Sequence, residues 1–254
     1  IFATGQSTIK EFFAQLYANP NVNEEPLSGG RQMNAHFGTR HLDEFGNWKD
    51  LTANALSASD TSPTASQMPR LVGLAQASKL YREVPELASF STFSKSGNEI
   101  AFGTIGNASS AEGHFWEALN AIGVLQAPMI MSIWDDGYGI SVPNEYQLTR
   151  DLSDMISGFQ RNDRSRGFEV FRVSAWDYES LVTTYKEAEY WAREKHIPCI
   201  IHVVDVTQPQ GHSTSGSHER YKNAERLQWE KDFDCLGRLR EYVVNRGYAS
   251  EEEL

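Results

Sequence analysis

Basic residues, cysteine and long apolar runs are all scarce in this sequence, and each scarcity disfavours a class of protein. The chain carries 23 Lys and Arg against 34 Asp and Glu, which gives a net charge of −11. Because sequence-independent binding to DNA or RNA needs an excess of Lys and Arg facing phosphates, we expect no nucleic acid partner. No apolar run approaches the roughly 20 residues that span a bilayer, so we expect no membrane partner either.

The two cysteines, Cys199 and Cys235, stand singly in apolar surroundings and lack the CxxC spacing of metal or redox motifs. We therefore expect two buried free thiols in a reducing compartment. No stretch is typical of a signal peptide. Together these features predict an acidic, soluble protein of the cytoplasm.

The overall composition is that of an ordinary globular protein. Apolar residues make up 40% of the chain and charged residues 22%, which excludes disordered and fibrous classes. We expect a single domain over residues 1–254, since this length suits one large core. The chain begins at Ile1 without a polar tail and ends in an acidic stretch typical of a helix start, so we expect a piece of a longer or fused chain.

Helical and strand patterns alternate along the chain, which predicts an α/β fold. Short apolar runs without polar alternation are typical of parallel strands covered on both faces, so we expect a doubly wound, mostly parallel sheet. Residues 19–60 lack periodicity and predict a long ordered loop, which usually serves function. Helices are predicted at residues 9–17, 66–81 (N-cap Ser66), 113–125, 146–159, 177–195 (N-cap Asp177) and 220–247, and strands at 99–105, 128–134, 168–173 and 199–206.

Two adjacent predicted strands end in residues suited to binding a metal ion. Asn107 follows the strand that ends at Gly106, and Asp136 follows the strand that ends near Trp134. Because parallel strands end at the same edge of a sheet, we expect Asn107 and Asp136 to lie together, where ligands bind. A carboxylate, an amide oxygen and a backbone carbonyl are ligands that Mg²⁺ takes beside a diphosphate. The alternative is that the two side chains only cap a helix and a turn.

Four segments in order carry a family resemblance. They are Gly-Gly-Arg-Gln-Met-Asn-Ala-His-Phe-Gly at residues 29–38, Ser-Pro-Thr-Ala-Ser-Gln-Met-Pro at 62–69, the stretch 106–138 with Gly-Asn-Ala and then Asp-Asp-Gly-Tyr, and Gly-His-Ser-Thr-Ser at 211–215. In these segments the chain resembles the alpha subunit of the thiamine diphosphate-dependent 2-oxoacid dehydrogenases, most of all the branched-chain type. The resemblance implies the thiamine diphosphate-binding fold.

The resemblance also implies roles for individual residues. Mg²⁺ would be held by the side chains of Asn107 and Asp136 and by the carbonyl of Tyr138. His212 would reach the diphosphate or the substrate and is the implied catalytic residue. The residues implied to contact thiamine diphosphate are Ser62, Thr64, Gly106, Asn107, Ala108, Ser109, Trp134, Asp136, Tyr138 and His212. The residues implied to surround a monovalent cation such as K⁺ are Thr61, Pro63, Ser66 and Gln67.

The chain departs from the family pattern at the metal motif itself. Relatives have an acidic residue where this chain has Asn107 and an asparagine where it has Asp136, which we interpret as an exchange that keeps one carboxylate and one amide. Ala108 replaces a glycine of the motif. His36 is expected either to brace the long loop or to touch substrate, and Ser213 stands where relatives can be phosphorylated. The loop 207–219 is expected to order over the diphosphate when the cofactor binds.

The resemblance implies the alpha part of the decarboxylating component of a branched-chain 2-oxoacid dehydrogenase. That oxidoreductase would decarboxylate a 2-oxo acid and transfer the acyl group to lipoyl on an acyltransferase core. A beta subunit, or a fused beta part, would supply the glutamate that activates the cofactor, within a dimer or heterotetramer. Two alternatives stay open, namely a thiamine enzyme subunit acting on pyruvate or acetoin, and a degenerate subunit that serves assembly without catalysis.

Overall fold

A parallel sheet forms the centre of the computed structural model, which describes residues 1–2, 4–212 and 218–254. Within these residues the strands are β1 (Ala101–Gly106), β2 (Met129–Trp134), β3 (Tyr138–Gly139), β4 (Val142–Pro143), β5 (Glu169–Ser174) and β6 (Cys199–Val204). Four of them pair in parallel in the spatial order β1-β2-β6-β5, while β3 and β4 form a separate hairpin. Gly106 lies opposite Trp134, and Trp134 lies opposite Val203, so three strands end at one edge of the sheet.

The helices cover both faces of this sheet. In the described residues they are α1 (Ile9–Leu16), α2 (Gln67–Glu83), α3 (Gly113–Leu125), α4 (Leu152–Ile156), α5 (Tyr178–Lys195), α6 (Ala224–Asp232) and α7 (Cys235–Asn245). The chain crosses from β1 to β2 through α3 and returns from β5 to β6 through α5 in the opposite direction. Because such crossovers are right-handed, the two helices lie on opposite faces. The doubly wound α/β prediction is confirmed.

Alternate residues of β2 enter two separate apolar clusters, which accounts for its mostly apolar sequence. Met129, Met131 and Ile133 pack with residues of α2 and α3 in one cluster, whereas Ile130 packs with Ala188 of α5 in the other. Since both faces of the strand are buried, neither needs polar residues.

One predicted helix start and one predicted helix need correction. Ser66 itself has helical backbone angles, so its hydroxyl does not cap α2 and instead donates to the carbonyl of Pro63 at 2.7 Å. Residues 146–159 form the short α4 between turns, because the Asp151 carboxylate accepts from Ser153 N and starts a new helix there. The Asp177 cap of α5 is confirmed. Of the two free thiols, Cys199 is buried but Cys235 is only half-buried.

Residues 19–60 contain an isolated bridge between Leu42 and Trp48 but no helix or longer strand. The buried Glu25 carboxylate orders the first part of this segment by accepting from the N–H groups of Leu27, Ser28 and Gly30. The prediction of a long ordered loop is therefore confirmed. Within the described residues, no helix combines the length and the apolar character needed to cross a membrane.

Candidate functional site

The carboxyl ends of β1 and β2 bring the two predicted metal-binding loops together. Asn107 N donates to the carbonyl of Trp134 at 3.1 Å, which extends the pairing of the two strands by one residue. The loop after β1 turns at once into a 3-10 turn, Ala108–Ala111, that leads into α3. The topology argument that placed Asn107 beside the loop after β2 is thus confirmed.

The buried Asn107 side chain links the two loops. Its Nδ2 donates to the carbonyl oxygen of Tyr138 at 3.0 Å and to Oδ1 of Asn144 at 2.6 Å. The side chain makes no capping hydrogen bond to the following turn, so the alternative of a helix cap is wrong for this residue. Among the described residues no hydrogen bond is formed by Asn107 Oδ1, which leaves one amide oxygen available to a ligand.

Asp136 supplies the carboxylate of the group. Its Oδ1 accepts from Tyr138 N at 3.0 Å, so the alternative that it stabilises a turn is correct as far as this contact goes. Burial raises the pKa of Asp136 above its ordinary value, and Asp135 adds to that rise, while the tight-turn hydrogen bond and the cations Lys222 and Arg226 oppose it. A carboxylate that is costly to ionise in this way is stabilised by a bound cation.

Two glycines allow the loop after β2 to reach the loop after β1. Gly137 has a φ of +82°, a left-handed conformation that other residues rarely adopt. A Cβ atom at Gly139 would lie 2.7 Å from Cβ of Ala108 and 2.6 Å from the side-chain oxygen of Gln147. The two loops therefore touch at a point that has no room for a side chain.

The residues at this point form a donor set suited to Mg²⁺. One carboxylate, one amide oxygen and one carbonyl oxygen lie on adjoining residues that are joined by hydrogen bonds, and all three are oxygen ligands of the kind Mg²⁺ prefers. In the described part of the chain no group of three or more His, Cys, Asp or Glu side chains is arranged to hold a metal ion. A metal here would therefore depend on the amide, the carbonyl and oxygens of its own ligand.

Sequence reasoning missed a series of hydrogen-bonded polar side chains that runs from Ser153 to Asn107. Ser153 Oγ lies 2.6 Å from His202 Nδ1, and His202 Nε2 lies 3.0 Å from Asp135 Oδ2. Asn144 Nδ2 then donates to Asp135 Oδ1 at 2.9 Å, and Asn144 Oδ1 accepts from Asn107 Nδ2. Burial acts to raise the pKa of Asp135, but hydrogen bonds from His202, Gly137 and Asn144 outweigh it and hold that pKa below its ordinary value.

An ionic cluster of the buried Lys222, which precedes α6, with Arg226 and the buried Glu230 of α6 contacts the same loop. Lys222 Nζ and Arg226 Nε lie 2.7 and 2.9 Å from Glu230 Oε1. Arg226 Nη2 donates to the carbonyl of Asp136 at 2.6 Å, and Lys222 Nζ lies 5.0 Å from the centre of the Tyr138 ring. This cluster positions the turn that carries both Asp136 and the Tyr138 carbonyl.

A second predicted group lies before α2. Ser66 Oγ contacts Thr61 Oγ1 at 2.5 Å and the carbonyl of Pro63, so three oxygens of the predicted monovalent cation loop converge. Gln67 points elsewhere, with Nε2 donating to the carbonyl of Thr104 in β1. Between these residues Ala65 is buried with a φ of +62°, a strained conformation for a residue with a side chain.

His36 lies beside this second group. Its Nε2 is 3.4 Å from Ser62 Oγ, and the buried Gln15 side chain holds the backbone of residues 35 and 36 through two hydrogen bonds. A cavity of about 450 Å³ opens next to His36, and its lining includes Thr61, Gln67 and Phe102. Asn107 and Asp136 do not line this cavity, so the two predicted groups occupy separate places along β1.

The other predicted contacts take varied positions. Gly106 faces open space, Ser109 is half-buried, and the indole N–H of the exposed Trp134 donates to Ser132 Oγ at 2.9 Å. Thr64 and His212 are exposed, and no hydrogen bond joins either to the Asn107 group within the described residues. Ser213, and the predicted ordering of much of the loop 207–219, fall on residues 213–217, which lie outside the described residues.

A sequence signal existed for only some of the missed residues. Arg226 and Glu230 are spaced i, i+4 on α6, a common ion-pair spacing. Nothing local distinguishes Asn144 or His202, whose partners lie 37 and 67 residues away along the chain.

The comparisons with known proteins agree with the motif resemblance. The chain matches the family described as dehydrogenase E1 component over residues 1–254. It is 29% identical over 234 residues to the mitochondrial 2-oxoisovalerate dehydrogenase subunit alpha of Dictyostelium discoideum, covering 91% of this chain and 45% of that protein. The proteins of the same name from Mus musculus and Homo sapiens are 28% and 27% identical over 246 residues, covering 95% of this chain and 46% of each of them. The chain thus spans about half the length of the curated relatives it matches. Because the family match extends over all its residues, the chain belongs to the dehydrogenase E1 component family.

Proposed function

We propose that this chain is the alpha part of a thiamine diphosphate-dependent 2-oxoacid dehydrogenase, the part that holds Mg²⁺ and the cofactor diphosphate. The observation that carries the proposal is the hydrogen-bonded group of Asn107, Asp136 and Tyr138 at the carboxyl end of the parallel sheet. Ligands of such sheets bind at this end. Membership in the dehydrogenase E1 component family, which depends on thiamine diphosphate, supports this cofactor as the ligand.

Each part of the group has a distinct task in this proposal. The Asp136 carboxylate, the Asn107 amide oxygen and the Tyr138 carbonyl hold Mg²⁺. The backbone of Gly106, Ala108 and Ser109 contacts the diphosphate, and the positive end of the α3 dipole favours its charge. When bound, thiamine diphosphate supplies the electron sink for decarboxylation of a 2-oxo acid. The residues of this chain bind and orient the cofactor for that chemistry.

The second group serves the other end of the cofactor in the same proposal. Ser62 and Thr64 line the pocket of the aminopyrimidine, and Trp134 and His212 complete the cofactor contacts. His212 also reaches substrate and is the proposed catalytic residue of the chain. Converging oxygens in the loop before α2 support a monovalent cation such as K⁺, with ligands among Thr61, Pro63, Ser66 and Gln67.

The proposed substrate is a branched-chain 2-oxo acid, whose acyl group passes to lipoyl on an acyltransferase core. The names of the relatives, 2-oxoisovalerate dehydrogenase subunit alpha, support this substrate class. Residues 1–254 form one domain in this proposal. A beta part, separate or fused, completes the active site, and the assembly is a dimer or heterotetramer. Location in the cytoplasm stays a prediction, while the relatives' names place those proteins in mitochondria.

Calorimetric titration of the complete enzyme with thiamine diphosphate tests this function directly. We expect saturable binding at one cofactor per chain that depends on Mg²⁺. Absence of binding with Mg²⁺ present would favour the degenerate assembly subunit instead, a reading motivated by the altered metal motif. With binding established, release of CO₂ from 3-methyl-2-oxobutanoate, compared with pyruvate and acetoin, decides the substrate class.

A further inference from the structure

Asn107 is useful to a cation only if its amide presents oxygen and not nitrogen. The two ends of an amide are similar in shape, so its orientation must be set by the groups around it. For Asn107 the orientation is set by a backbone N–H group, which is always a donor. Two side chains, joined by hydrogen bonds, connect that N–H group to Asn107.

That backbone donor is the N–H of Gly137. It donates to Asp135 Oδ1 at 2.8 Å, which makes this oxygen an acceptor. The Asn144 atom that lies 2.9 Å from the same oxygen must therefore be the nitrogen, Nδ2. Because an amide carries oxygen at its other end, Asn144 directs Oδ1 toward Asn107.

The orientation passes on to Asn107 by the same reasoning. Asn144 Oδ1 lies 2.6 Å from Asn107, and the Tyr138 carbonyl oxygen lies 3.0 Å from the same atom of Asn107. Both neighbours are acceptors, so this atom is Nδ2, and Oδ1 is the end that stays available. The remote end of the path is fixed as well, because the buried His202 holds the second oxygen of Asp135 at 3.0 Å.

We propose that Asp135, Asn144 and His202 are positioning residues that hold the Asn107 amide with its oxygen toward the metal of the cofactor. This inference rests on the proposed function. It adds three residues that act through Asn107 without touching the metal. Their arrangement also gives Asn144, which lies in the turn after β4, a reason to be an asparagine, since the two ends of an amide donate to Asp135 and accept from Asn107 at the same time.

The test is the affinity of the complete enzyme for thiamine diphosphate in the presence of Mg²⁺, measured by calorimetry. The variant Asn144→Ala removes the oxygen that orients Asn107, and we expect the Kd to rise about tenfold, as for the loss of one buried hydrogen bond. The number of sites should stay at the wild-type value. A merely structural role would instead lower the number of sites, because misfolded chains do not bind, and would leave the Kd of the folded chains unchanged.

A conservative variant separates positioning from charge. In Asp135→Asn the new side chain still offers an oxygen to Gly137 N–H and to Asn144, and His202 still meets it by a change of tautomer. We expect this variant to keep the Kd within about twofold, whereas Asp135→Ala raises it about as much as Asn144→Ala does. Asn120→Ala, on an exposed position of α3, is the matched control and should bind as the wild type does.

The outcomes are distinct. An unchanged Kd in Asn144→Ala, or a lower number of sites with unchanged Kd, overturns the positioning role while the proposed function stands. If Asn144→Ala does not fold, Asp135→Asn and Asp135→Ala with equal Kd values overturn it in the same way. Failure of the wild-type enzyme to bind the cofactor with Mg²⁺ overturns the proposed function and this inference together.

Discussion

Among the described residues two histidines are buried, and they lie at opposite ends of the sheet in different kinds of hydrogen-bond network. His196, between α5 and β6, places Nε2 at 3.2 Å from the carbonyl of Gly97 at the amino end. His202, within β6, meets Asp135 and Ser153 toward the carboxyl end. Both are buried, at 9% and 0% exposure. They differ in their partners, because His196 contacts a backbone carbonyl whereas His202 contacts side chains that bond to further side chains.

Around His196 at the amino end, neighbouring side chains donate to backbone carbonyls. Ser78 Oγ donates to the carbonyl of Glu99, and Arg82 donates to the carbonyl of Arg193, so each contact ends there. At the carboxyl end, a series of side-chain hydrogen bonds runs from His202 through Asp135 and Asn144 to Asn107. Among the described residues the Asn107 side-chain oxygen has no hydrogen-bond partner. We interpret hydrogen bonds that end at backbone carbonyls as stabilising the fold. The series of side-chain hydrogen bonds that ends at Asn107 instead orients a group for a ligand.

The largest expected effect is on stability at the carboxyl end. Lys222 and Glu230 are each about 1% exposed and bonded at 2.7 Å. Glu230→Gln leaves the Lys222 charge buried without its counter-ion, so we expect the free energy of unfolding to fall by about 3–5 kcal/mol. Urea denaturation measures it, with Glu225→Gln, exposed on the same helix, as a control that should change by less than about 1 kcal/mol.

The next effect sharpens the assignment of the charged ligand. Asp136→Asn leaves only neutral side chains at the proposed metal site, and we expect the Kd for thiamine diphosphate with Mg²⁺ to rise about 10- to 100-fold. Asn107→Asp should weaken binding less, because the negative charge that it adds at the proposed cation offsets the loss of the two hydrogen bonds that Asn107 Nδ2 donates. Calorimetry of the complete enzyme provides both values. Equal losses in the two variants would rule out the interpretation of an exchanged carboxylate and amide.

Replacing each histidine tests the division between the two networks. His196→Gln should lower the free energy of unfolding by about 1 kcal/mol, the value of one hydrogen bond, and leave the Kd for the cofactor unchanged. His202→Gln should raise that Kd severalfold, because the far oxygen of Asp135 loses its partner. A change of Kd in His196→Gln, measured by the same calorimetry, would contradict the comparison.

The smallest effect is a dependence of stability on pH at the amino end. Burial lowers the pKa of His196, and the charge of Arg82 adds to that effect. Below the ordinary histidine pKa of about 6.5 the unfolded chain therefore binds more protons than the folded chain. Stability contributed by the neutral His196 is present above about pH 6.5 and is lost as the pH falls toward the lower folded value. Urea denaturation at about pH 7.5 and 5.5 should show a smaller loss in His196→Gln than in the wild type.

The sequence allowed the sheet and the meeting of the two loops at the candidate site to be predicted, because buried parallel strands are largely apolar runs and end at one edge. The bounds of α3 were predicted residue for residue. Residues 146–159 were predicted as one helix because their apolar spacing is helical. In the structure the Asp151 side chain caps a new helix at Leu152, so the helical spacing before it does not form one continuous helix. Asn144 was missed because its contacts join loops that only the folded chain brings together. Local sequence patterns reveal candidate ligands more readily than the residues that orient them.

The contact between Gly139 and Ala108 has a consequence for how a cofactor would bind. Since the two loops already touch and Asn107 is held by two acceptors, its side chain gives up its rotamer freedom when the chain folds. Ordering such a side chain on binding costs about 0.5–1.5 kcal/mol, and here that cost falls on folding instead. The site is in this respect ready before its ligand arrives.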